Sequence, residues 1–361
     1  MEQSKRQHHS RRPAPDRLST KTAQILAMIK KHALQIFAIT LTVLSTVACE
    51  QKEVKDYLPE SNGPLNEVIV VAETDILEGT AGDALKSYVS QRQLGLGVDE
   101  AKYTIRHLTP ELFKGAIMRS RSVVYMQIDT LSRAHVKRDM YATPQHLVVI
   151  KGRNELELAQ NVDQIMLQAV DSFRQSDLRV AQSRFKRSLY TEPRLNKTFG
   201  IDLTIPSIYR PAKFTGDFAW IDRPIENGTM NLLVYAVDAG RFSDEDTFLE
   251  DLIRMRDSVG RAQVPGPDVE GIQTYMQTEP IFRPYVFGAE VNGFKAAEMR
   301  GMWDINGYPM AGPFITYVVN DTINNRNLVL EGFVFAPNKE KRDYLFELEA
   351  IIKTLKIEKI D

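Results

Sequence analysis

Six histidines and one cysteine are the residues best suited to hold a metal or a reactive group, and their spacing favours neither use. His8, His9 and His32 fall within the first 48 residues, leaving His107, His135 and His146 in the body of the chain. No His-x-x-x-His, Glu-x-x-His or Cys-x-x-Cys spacing is present, whereas a dedicated zinc site draws its ligands from such short repeats. Neither metal nor cofactor is expected. Gly79-Thr-Ala-Gly-Asp83 has the look of a phosphate loop but lacks the Gly-Lys-Ser/Thr end that cradles and pairs phosphates, so it is read as a turn into a helix. Gly95-Leu-Gly97 reads as a turn. The Gly-x-Ser-x-Gly elbow of a serine nucleophile is missing. Acid pairs such as Asp244-Glu245-Asp246 and Glu347/Glu349 have the chemistry for acid–base work, but read as helix-start charges and a solvated face.

The lone thiol, Cys49, cannot form an internal disulfide, and its setting gives it another use. It follows Lys30-Lys31 and an apolar run of 16 residues, Ala33 to Ala48, which ends in small side chains. Positive charge, apolar stretch and small residues describe a secretory signal. The run is short of the ~20 residues a permanent membrane helix needs. Thr46-Val47-Ala48-Cys49 resembles the lipobox of bacterial lipoproteins, with Thr46 where Leu is commonest. The resemblance implies diacylation (palmitate or a similar chain) of Cys49 and cleavage before it, and two acyl chains suffice for a stable anchor. Residues 4–17 are polar and basic with Pro13 and Pro15, an unusual preface to a signal, so Met28 is read as a candidate start. Residues 1–48 hold eight Lys/Arg against two acids, and the remainder 38 against 45. A mildly acidic body offers no footprint for nucleic acid, and none is expected as partner.

Residues 50–66 are mostly polar with Pro59, Gly63 and Pro64, and read, with Cys49, as a flexible tether over 49–66. Periodicity then predicts an N-terminal α/β domain over 67–190. Its strands are Val68–Ala72, Lys102–Leu108, Ser122–Ile128 and Leu147–Ile150, with helices at Thr80–Gln91 and Glu111–Arg119. A long helix over Asn154–Leu189 completes it, its far end polar and read as solvated. Residues 191–361 are built differently: an antiparallel sheet, with Asn292-Gly293, Asn306-Gly307 and Asn324-Asn325 as turns, packed by two helices starting near Ser243 and Asn338. Fold class is therefore α+β with an α/β first half. Pro309 and Pro313 predict an edge or an interrupted connection in the second half.

Glu67-Val-Ile-Val-Val71, Phe218-Ala-Trp-Ile221, Ile272 to Met276, Arg300-Gly-Met-Trp303, Met310-Ala-Gly-Pro-Phe314, Glu331 to Pro337, and Lys341-Arg342 with Glu347 to Ala350 form a set of stretches. With them the chain resembles a Bacteroidetes lipoprotein family of unknown function, domain of unknown function 4837. The resemblance covers the chain from about residue 65 to its end and implies an envelope address without an activity. By analogy of fold alone, the second half is similar to a PsbP-type sandwich. Asp129-Thr-Leu, Asp257-Ser-Val and Asp321-Thr-Ile match an O-glycosylation signal of some Bacteroidetes.

The expectation is a lipid-anchored protein of the cell envelope, periplasmic or surface-facing, that binds or assembles rather than catalyses. Its partners would be the membrane, through Cys49, and an envelope protein, glycan or lipid. The alternative is an envelope hydrolase whose site assembles only in three dimensions. Trp303, Tyr308, Met310 and Phe314 are the candidate binding surface, against a reading in which Trp303 fills the core with Met299 and Gly301.

Overall fold

Strand β1 (Glu67–Val71) is a continuous apolar run because both of its faces are covered. Val68 and Val70 pack toward helices, and Ile69 and Val71 toward a layer of turns on the other side. The computed structural model in which this is seen describes residues 57–360 apart from 243 and 245, together with Ile25, Met28 and Lys30. Cys49 and the apolar run before it lie outside the described residues.

β1 pairs in parallel with β2 (Thr104–Leu108) and β3 (Ser122–Ile128). Beyond β3 come parallel β5 (His146–Gly152) and antiparallel β4 (Arg133–Arg138), giving the order β2-β1-β3-β5-β4. The basic edge strand β4 was not predicted; its sequence, Arg-Ala-His-Val-Lys-Arg, lacks the apolar run of the inner strands, as suits an edge. Helices α1 (Thr74–Glu78), α2 (Thr80–Val89) and α3 (Glu155–Phe185) cover one face. The predicted helix over Glu111–Arg119 is instead two short 3-10 turns, Pro110–Leu112 and Gly115–Arg119, broken where Gly115 takes φ +65°. α3 starts where Asn154 caps the Glu157 amide at 3.0 Å. Its far end exposes Arg179 and Arg184, as expected, but the same stretch also has a buried side: Asp177 pairs with Arg121, and Leu178 and Ala181 pack on Phe346 and Ala350 of the last helix.

The second half is an eight-stranded, curled antiparallel sheet. Two short pairs flank it, β6 (Leu189–Tyr190) with β8 (Ile205–Pro206) and β7 (Ile201–Asp202) with β17 (Lys356–Ile357), and α4 (Pro193–Phe199) lies between them in sequence. The sheet comprises β9 (Arg210–Phe214), β10 (Phe218–Ile225), β11 (Gly228–Asp238), β12 (Met276–Thr278), β13 (Tyr285–Val291), β14 (Phe294–Ile305), β15 (Tyr308–Asp321) and β16 (Arg326–Phe335). Their order is β12-β14-β15-β16-β11-β10-β9, with β13 paired to the first half of β14. Helix α5 (Phe248–Gln263) packs one face and α6 (Arg342–Ile352) the other. Both begin four to five residues later than the sequence suggested. The β14–β15 hairpin is continuous apart from one register shift, rather than interrupted. Its prolines are tolerated because β16 joins β15 only from Phe314 onward.

Leu58–Asp361 form one compact unit. The tether reading fails for its described part. Ser61 donates to the Thr143 carbonyl (3.1 Å), Asn62 to that of Arg119 (3.0 Å), and Asn66 to the Asp177 carboxylate (3.0 Å). Polar composition had suggested solvation, but these polar groups are satisfied by the fold instead. Among the described residues no helix is long and apolar enough to cross a membrane.

Candidate functional site

The loop between α2 and β2 reaches from the first sheet into the second. Leu96 is buried in the core between the second sheet and α6, and the Glu100 carboxylate accepts from the Lys341 and Arg342 amides (2.9 and 2.7 Å) at the start of α6. Gly95 takes φ +84°, and a Cβ there would lie 2.6 Å from the Arg300 Cβ. Only glycine fits both the torsion and the approach.

Beside this loop opens a cleft of about 330 Å³. Alternation along β14 sends Arg300 and Glu298 into it, while Met299 and Trp303 point to the α5 side. Across from β14, β13 places Tyr285 opposite Arg300 and Phe287 opposite Glu298. Helix α6 supplies Glu349, α3 supplies Arg174 and Asp171, and the end of the loop before β2 supplies Lys102 and Tyr103. The Glu349 carboxylate accepts from Arg300 at 2.7 Å and also from Arg174. Arg300 donates in addition to Glu298, whose other oxygen takes the Tyr317 hydroxyl at 2.6 Å. Burial pushes the Glu349 carboxyl up, but the guanidinium groups of Arg174 and Arg300 outweigh it and hold the group down at about 2. Burial lowers the Lys102 ammonium, and Arg174 and Arg300 add to the effect. Burial raises the Tyr103 phenol. The floor is thus a fixed lattice of paired charges. It can donate and accept hydrogen bonds in set directions, and it holds Glu349 ionised rather than as a proton donor. Phe287, 39% exposed, lines the cleft, and its ring lies parallel within 9° to that of Tyr285, 45% exposed, with centroids 6.5 Å apart; Tyr285 itself lines the neighbouring hollow beside Gly95 and Gly97.

The four residues singled out from sequence do not form one surface. Trp303 and Phe314 are 1% and 0% exposed in the core under α5, with Trp303 edge-on to Phe333. Tyr308 is exposed near the β14–β15 turn, and Met310 lines a separate hollow with Met302 and Phe335. Tyr308, Met310 and Phe314 share one parity of β15, and burial along the strand separates them, from the exposed turn at Tyr308 through half-buried Met310 to the core at Phe314. Glu349, read as a solvated acid, is buried because it lies four residues after Leu345 and three before Ile352, on the inward stripe of α6. That spacing was the available signal for the cleft. Glu347 is half-buried, bonded to Arg223 and to the Tyr209 hydroxyl. The loop at Gly79 holds a carboxylate of the chain itself, with the Thr80 amide donating to Glu155. His107 meets the Ala72 carbonyl at 2.9 Å, and among the described residues no three His, Cys, Asp or Glu converge as for a metal. The glycosylation triplets expose Thr130, Ser258 and Thr322.

Fold and cleft together define a two-sheet α+β protein with an ion-paired cleft between its halves. Residues 188–354 match the family model described as Domain of unknown function (DUF4837), and residues 61–186 match a second, Domain of unknown function (DUF8532). No curated protein matches the chain. Among solved structures, it is similar to LpqN, involved in cell envelope biogenesis of Mycobacterium tuberculosis, at 16% identity and a TM-score of 0.28 over 44% of this chain and 82% of that one. The Ran-binding protein Mog1p of Saccharomyces cerevisiae is similar at 7% identity and a TM-score of 0.28 over 44% and 90%.

Proposed function

We propose that the chain is a cell-envelope lipoprotein of Bacteroidetes type, anchored by acyl chains on Cys49, whose cleft binds an envelope glycan without transforming it. The observation that carries the binding reading is the pairing of an exposed aromatic in the cleft, Phe287, backed by the parallel ring of Tyr285, with a floor of fixed charges at Arg300, Glu298 and Glu349. A sugar ring offers an apolar C–H face to stack on such rings and vicinal hydroxyls to bond planar guanidinium and carboxylate groups. Engagement of Glu298 and Glu349 by the same arginine supports binding over hydrolysis, since a glycosidase keeps one carboxyl protonated. The anchor rests on the sequence around Cys49. A boundary near residue 190 between two domains is part of the same proposal, and the separate family matches on either side of residue 187 support it.

Calorimetric titration of the purified chain with a panel of envelope oligosaccharides tests the reading. One class should bind, and Tyr285→Ala or Phe287→Ala should weaken it by about tenfold with little change in melting. Binding unchanged in both variants, or no binding across the panel, would sink it.

A further inference from the structure

Residues 59–62 join the fold at one end of the parallel sheet, and that end is strongly cationic. They run across the starts of β3 and β5, bonded to Thr143 and Arg119. Around them stand Arg119, Arg138, Arg179, Arg184, Lys186 and Arg187, all exposed. Arg187 pairs with Glu60 at 3.3 Å. Against the six stand exposed Glu60 and Asp139 and, across α6, Asp343, while Asp177 is buried on Arg121. The concentration of charge is felt by its neighbours. Burial lowers the Arg184 guanidinium, with Arg121 and Arg187 adding to it, and burial lowers the His146 imidazole, with Arg138 and Arg179 adding to it. Met140, 41% exposed, stands in the loop between Arg138 and Thr143.

We propose that this face, with Arg119, Arg138, Arg179, Arg184, Lys186 and Arg187 around residues 59–62, lies against the anionic headgroups of the bilayer that carries the anchor. The proposal rests on the lipoprotein reading. Ten residues lie between Cys49 and Glu60, and even fully extended that stretch spans at most about 40 Å at ~3.3–3.6 Å per residue. An anchored chain therefore keeps this end near the lipid, and cationic side chains there are attracted to an anionic surface within a screening length.

The test uses the full chain purified from its membrane and reconstituted into vesicles of phosphatidylcholine, with or without phosphatidylglycerol. Arginine modification by phenylglyoxal is read residue by residue by mass spectrometry. In anionic vesicles labelling of Arg138, Arg179 and Arg187 should fall by about fivefold or more, and it should recover at about 0.5 M salt. Arg254, on α5, should label equally in both. The triple variant Arg138→Glu, Arg179→Glu, Arg187→Glu should melt normally and lose protection at Arg119 and Arg184. Equal labelling in the two vesicles, or protection of Arg254 in place of this face, overturns the orientation. The intact mass of the same sample reports acylation at Cys49, and its absence overturns the lipid anchor instead.

Discussion

Arg300 and Trp303 stand three residues apart on β14 and do opposite things. Arg300 binds Glu298 and Glu349 beneath the cleft, and Trp303 fills the core under α5. Strand parity made the inward role of Trp303 legible beside Met299, but nothing local told which face of the sheet would meet α3 and the loop at Gly95. Trp303→Ala should cost about 3–5 kcal/mol, whereas Tyr308→Ala, 40% exposed, should cost within about 0.5 kcal/mol; urea unfolding distinguishes them. Glu349 makes a pH prediction. Its value falls from the ordinary 4.5 to about 2 on folding, so its stabilisation is complete above pH 4.5 and is lost as pH drops toward 2. Glu349→Gln should therefore destabilise at pH 7 by about 3–5 kcal/mol, as removal of one partner from a buried ion pair does. The gap to the parent should shrink as unfolding is repeated at falling pH, and a gap independent of pH would contradict the assignment.

At the scale of elements, the strands buried on both faces and the helices with a clean stripe were the readable ones. β1 and α6 announce themselves by composition and by the spacing of Leu345, Leu348, Ile351 and Ile352. β4 and α4 did not: one is a charged edge and the other a seven-residue helix that Pro193 opens and Gly200 closes in the left-handed region. In the far half of α3 the exposed basic side was legible and the buried side was not, because its partners include an ion pair, Arg121 with Asp177, that composition counts as surface. The loop carrying Gly95 was read as a turn, with no sign that it forms a wall of the cleft. Gly115→Ala, at φ +65° in open space, should cost about 1–2 kcal/mol for torsion alone. Gly95→Ala adds a clash with Arg300 and should cost about 3 kcal/mol or more, with loss of cleft binding. Equal penalties in thermal melts would mean that the loop is not seated against β14.

For the whole molecule, the two sheets are joined by polar contacts as much as by packing. Glu100 caps α6, Asn66 links Asp177 to Asp343, and Arg174 reaches Glu349 across the cleft. The fold class could be read from periodicity, but a cleft that brings Lys102, Arg174, Arg300 and Glu349 together from distant parts of the chain could not. The proposed address rests on Cys49 and the run before it, and the account of an anchored envelope binding protein depends on it. Incorporation of a fatty-acid analogue is the direct measurement. The parent chain should take up label at Cys49 and lose its leader, while Cys49→Ala takes up none and accumulates as an uncleaved precursor. Acylation that persists in Cys49→Ala would contradict the account.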